Sequence, residues 1–253
     1  MGERKLYNSL LKGGLATVVL TVLFLYYTAG RCSTQGLLFA LPFFLIFYFV
    51  QFVLGREPVI QAFVAWNGKR QWNVLIFPTV LLALYFIYIG LNGQNILEGN
   101  PALLLFTLYF PVLVYGLVND PNRKIGWIDF TVFVLALLPF NFFGLKQNSD
   151  LPINGGGFDA ISHVMIILSG VYVFAIVRGI KEVGFVFEIR WKSLRTALLV
   201  WISFYAFVFV FGRSVDFITV VGYSDLDGVV IKSIIFTMIG TFLHTALFEE
   251  LFF

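Results

Sequence analysis

The chain has 253 residues, of which 59% are hydrophobic and 12% charged, and its formal net charge is +3. Soluble globular domains carry about 25% charged residues, so the composition excludes an ordinary water-soluble domain, and so small a charge gives no footprint for nucleic acid. The one cysteine, Cys32, excludes an internal disulfide framework and a multi-cysteine metal site.

Hydrophobic runs fall at about 13–30, 36–55, 73–91, 101–118, 127–145, 160–177, 194–212 and 229–253. Each approaches the ~20 apolar residues that a helix needs to cross a bilayer. They predict an all-α, polytopic transmembrane helix bundle of about eight membrane helices. The first run follows Arg4, Lys5 and Lys12. Its long apolar core and the further spans make it an uncleaved anchor rather than a signal peptide.

Basic residues set the orientation. Arg4, Lys5 and Lys12 precede the first run; Arg56, Lys69 and Arg70 lie in the second loop. Arg123 and Lys124 lie in the fourth loop, and Arg178, Lys181, Arg190, Lys192 and Arg195 in the sixth. The alternate segments hold only Arg31, Lys146 and Arg213, a split of 13 against 3 with Lys232 inside the last run. The expectation is a multi-pass protein of the cell (inner) membrane with a cytosolic N-terminus and the lipid bilayer as its first partner.

Pro42, Pro78, Pro111 and Pro139 fall within runs, where a membrane helix tolerates proline at a kink. The stretch 146–158, with Gly155, Gly156 and Gly157, lacks the Lys-Ser/Thr ending of a phosphate loop and reads as a solvated linker. His163 stands at the mouth of the sixth run and is expected to bond locally. The loop from Arg178 to Arg195 is basic, alternates Phe185, Phe187 and Ile189, and then carries Trp191. It reads as a membrane-surface segment held by anionic lipid.

The last run, Val229 to Phe253, carries two adjacent acids, Glu249 and Glu250. A carboxylate within a membrane span costs roughly 2.5–3.5 kcal/mol on insertion scales, which makes it a functional candidate. On an ideal helix the two acids point about 100° apart. Glu249 borders a small and polar half formed by Ser233, Thr237, Gly240, Thr241 and His244, a face expected to pack on other helices. Glu250 lies with Ile239, Leu243 and Ala246.

The six residues Phe248-Glu249-Glu250-Leu251-Phe252-Phe253 resemble the start of EExxxR, the first signature of the CPBP intramembrane proteases (the CAAX prenyl endopeptidase and bacterial Abi group). A diffuse similarity extends back to about Val183, where a Gly-Phe stretch and a Trp-Lys pair precede a membrane helix. The resemblance implies two regions: residues 1–180 as an N-terminal membrane region of six helices, and 181–253 as the start of a protease-like domain. It further implies that Glu249 is the water-activating base and that Glu250 is held by the arginine four residues on. A peptide or membrane protein would be the substrate.

The family's later histidine and asparagine or aspartate patterns do not occur in these 253 residues, so a truncated and inactive fragment is expected. Whether the complete family site holds a divalent metal such as zinc stays open, and no metal ligand is assigned. Two other readings fit the same residues. One is a transporter or channel with Glu249 as a proton or cation site; the other is a non-catalytic immunity or scaffold membrane protein.

Overall fold

The computed structural model describes residues 2–97, 100–118, 125–142, 150–153, 159–180 and 191–215. Described residues up to Ile180 belong to one compact unit and those from Trp191 to Val215 to another. The architecture is all-helical apart from two residue pairs in extended form.

Helix α1 (Gly2–Thr28) and α2 (Thr34–Leu54) form the most extensive helix pair. Ser9, Gly13, Thr17, Leu20, Phe24 and Thr28 recur at spacings of three and four and are buried, so they make one seam along α1. A Cβ on Gly13 would overlap Val53 Cγ1, so glycine is what lets the two backbones approach there. Further along, Phe24 stacks on Phe44 with ring centroids 4.0 Å apart. The seam threonines cost little in an apolar setting because each hydroxyl donates to its own helix: Thr17 to Gly13 O at 2.8 Å and Thr28 to Phe24 O at 2.7 Å. Ser33 starts α2 by accepting from Gly36 N at 3.1 Å.

A short helix that the hydrophobic runs do not announce follows at once: α3 (Glu57–Asn67), with proline in its first turn and Gly68 at its end. A 3₁₀ turn (Gln71–Leu75) leads into α4 (Ile76–Leu91). Pro78 therefore lies in a first turn, where its missing N–H has no helical partner to lose. Phe77, Leu81, Tyr85 and Tyr88 give α4 its buried stripe.

Helices α5 (Pro101–Val118) and α6 (Trp127–Phe142) pack on each other and carry Pro111 and Pro139 inside. The pair β1 (Asp150–Leu151) and β2 (Asp159–Ala160) is antiparallel, with Leu151 opposite Asp159. Tyr88 donates to Asp150 O at 2.8 Å and pins this pair to the end of α4.

Helix α7 (Ile161–Val171) is the centre of the unit. Nearly every residue on it is buried, on all faces, and it packs against α2, α4 and α5. An apolar helix without a polar face is what such a position requires. His163, expected at a mouth, lies inside at 2% exposure. The helix runs on as a π-helical stretch (Tyr172–Val177), with Arg178 N bonded to Val173 O at 2.8 Å. Gly179, at φ +73°, then turns the chain, and Ile180 N reaches back to Phe174 O at 2.9 Å.

In the other unit, α8 (Trp191–Ser214) is a single apolar helix with Arg213 in its last turn. Among the described residues three helical segments are long and apolar enough to cross a membrane: Arg4–Thr28, Thr34–Leu54 and Gln71–Leu91. The segments Pro101–Leu117, Trp127–Ala136, Ile161–Val177 and Leu198–Ser214 are apolar but shorter.

Candidate functional site: a buried ion pair beside a π-helical turn

The residues singled out from the sequence, Glu249 and Glu250, lie outside the described residues, as do the Ser233–His244 face and the alternating segment Phe185–Ile189. The last hydrophobic run, 229–253, lies outside them too. What the described part brings together is a polar cluster at one end of the bundle, built on Asp129, Arg178 and Tyr115.

Asp129 stands in the first turn of α6. Its Oδ2 accepts from Gly126 N at 3.0 Å, the reach back from the third helical position that closes a helix start. A carboxylate also suits the positive end of the helix dipole. Oδ1 accepts from Tyr115 Oη at 2.9 Å and from Arg178 Nε at 3.0 Å. Arg178 ends the π-helical stretch, where the dipole favours a cation. The two side chains are only 4% and 5% exposed. Three helix ends, those of α5, α6 and α7, thus meet on one carboxylate.

Six residues earlier on the same stretch, Tyr172 makes a second junction. Its hydroxyl accepts from Asn67 Nδ2 at 3.1 Å and donates to Val74 O at 2.9 Å. Phe77 stacks on the Tyr172 ring, centroids 4.5 Å apart. The π-helical turn is therefore held at both ends, by α3 and the 3₁₀ turn through Tyr172, and by α6 through Arg178. Such i→i+5 turns are rare in proteins and recur at functional sites.

Chemically the cluster is a clamp. Both carboxylate oxygens of Asp129 are engaged by donors, which include a backbone amide, a phenol and a guanidinium. Among the described residues no group of three or more His, Cys, Asp or Glu side chains gathers in a way that would hold a metal ion.

Gln51 is the odd residue of the core. It is 1% exposed on α2, and among the described residues neither its Oε1 nor its Nε2 has a hydrogen-bond partner. Buried amides are nearly always paired, so this one stands out.

Sequence reasoning missed Asp129 as a site residue and counted Arg178 only as a loop cation. The available signal was an acid at the start of a hydrophobic run and an arginine at the end of another; nothing local couples residues 49 apart in sequence.

The fold and this cluster define a helical bundle with membrane-length apolar helices and a polar clamp at one end. No family model matches the chain, and no curated protein or solved structure matches it either.

Proposed function

We propose that the chain is a multi-pass protein of the cell (inner) membrane with eight spans and a cytosolic N-terminus. We further propose that residues 181–253 begin an intramembrane endopeptidase of the CPBP type. The observation that carries the enzymatic reading is the acid pair Glu249-Glu250 within an apolar run. In that reading Glu249 activates water for attack on a peptide carbonyl and Glu250 positions the helix through an ion pair.

The bonding pattern supports the alternation of the loops between two faces. Loops that the charge count puts on the cytosolic side are joined to helix ends on that side: Asn67 and Val74 to Tyr172, and Gly126 through Asp129 to Tyr115 and Arg178. On the other side Tyr88 joins the segment at Asp150. The polar bonds thus gather at the two ends of α4 and α7, while their middles are apolar, as a bilayer demands.

The test incubates membranes carrying the full-length protein with a membrane-anchored peptide. Cleavage that falls by about 10²–10⁴ in Glu249→Ala is the expected result. Cleavage that survives Glu249→Ala, or none across varied peptides, removes the peptidase reading.

Glu249 within an apolar run also supports a second reading, transport of a proton or cation, because an ionisable group inside a membrane span often marks an ion path. Ion flux into proteoliposomes that Glu249→Gln abolishes would favour it over hydrolysis.

A further inference from the structure

We propose that the turn from Gly68 to Trp72 is a docking surface for the headgroups of anionic phospholipids. This rests on the membrane reading above, and it is drawn from a part of the chain that the peptidase reading does not use.

Helix α3 is 11 residues long, about 16 Å, and lies between α2 and the 3₁₀ turn that leads into α4. It is too short to cross a bilayer, so the chain emerges from α2, runs along α3 and re-enters at the same face. The membrane-length segment that begins the return is Gln71–Leu91, so Trp72 occupies its first turn, at headgroup depth. Tryptophan is enriched at that level because its ring is apolar and its N–H is polar. Trp72 is 77% exposed. Val64 and Ile76, also exposed, flank it as further apolar contacts for acyl chains.

Lys69 and Arg70 immediately precede this segment. Both are exposed, and neither forms an ion pair among the described residues. Two cations next to an exposed indole match a phosphodiester with acyl chains beneath it. A free phosphate would use the cations and leave the indole without a purpose.

The turn is also built before any lipid arrives. Asn73 Nδ2 donates to Trp66 O at 2.7 Å, Gly68 N to Val64 O at 3.0 Å and Lys69 N to Trp66 O at 3.2 Å. Asn67 and Val74, on either side of the basic pair, are tied to Tyr172. A rigid frame of this kind spares most of the ordering cost of binding.

The experiment reconstitutes the whole chain into nanodiscs of phosphatidylcholine alone, or with about a quarter phosphatidylglycerol, a proportion that gives a substantial negative surface potential. Melting temperature and the number of phosphatidylglycerol molecules retained in native mass spectra are read for the wild type and for Lys69→Gln/Arg70→Gln. The anionic lipid is expected to raise the melting temperature of the wild type, less so at high salt. The double variant is expected to show about thirtyfold weaker apparent affinity for it, and each single variant about fivefold. The single variants keep the test alive if the double variant fails to fold.

An undiminished lipid response in these variants overturns the proposal. So does equal stabilisation by soluble glycerol phosphate, which would mark a free-anion site, or displacement of the lipid by an acidic peptide. Stable insertion into phosphatidylcholine discs checks the membrane reading separately, so the two can fail independently.

Discussion

Replacing Arg178 by Met tests the clamp most directly. The substitution keeps an apolar stem but removes the guanidinium, leaving Asp129 at 4% exposure and still bonded by Tyr115 and Gly126, at 2.9 and 3.0 Å. Breaking a buried ion pair by removing one partner costs about 3–5 kcal/mol, and two surviving donors place this case near the lower figure. For a chain of this size each kcal/mol moves the melting temperature by about 2–4 °C, so Arg178→Met should melt about 6–12 °C lower. Adding Asp129→Asn removes the stranded charge while an amide oxygen still accepts from Gly126. The double variant should therefore regain about half of that loss. Thermal unfolding in detergent, followed by tryptophan fluorescence, measures all three proteins. A shift below about 2 °C for Arg178→Met, or a double variant no more stable than the single, would refute the argument that the pair clamps three helix ends.

Other substitutions probe the core and the orientation. Gln51→Leu should raise stability by about 1–3 kcal/mol in the same assay, since it removes two unpaired polar atoms at nearly constant volume; a loss of stability would show that the amide is used. Gly13→Val should cost about 1–3 kcal/mol through its overlap with Val53, while Gly14→Val, whose nearest neighbour is Phe49 at 4.0 Å, should cost much less. In a Cys32→Ser background, Gln71→Cys and Asn95→Cys should react with a membrane-impermeant maleimide from opposite sides of the membrane. Labelling of both from one side would overturn the orientation.

The long elements were legible because hydrophobic runs near membrane length have few alternatives to a helix. Those at 36–55, 73–91 and 101–118 correspond closely to α2, to the 3₁₀ turn with α4, and to α5. Helix α3 was not legible: Glu57–Asn67 is short, mixed in polarity and set between basic residues, so it reads as loop. The π-helical turn has no compositional mark either. Its geometry follows from the two junctions at Tyr172 and Arg178, which depend on partners in α3, α6 and the 3₁₀ turn. The Asp129–Arg178 pair escaped for a related reason. Counting basic residues by loop assigns Arg178 to the water side, whereas the fold folds it back under the helix end and buries it. The acids that the sequence does single out, Glu249 and Glu250, fall outside the described residues, so the motif remains a reading of sequence.

The burial of α7 has a consequence for how the protein is made. The helices around it, α2, α4 and α5, leave the ribosome before it does, since chains emerge N-terminal end first. They cannot close on one another in their final arrangement until residues 161–177 have been delivered between them. On the proposed membrane reading, the early helices wait in the bilayer as a loose set, with faces such as Phe47, Leu81 and Leu108 turned to lipid or to one another in provisional contacts. On that reading Ser162, His163 and Ser169 on the incoming helix also meet lipid before they are enclosed. Changes on α7 should thus act first on the yield of assembled protein and only afterwards on the stability of the finished bundle.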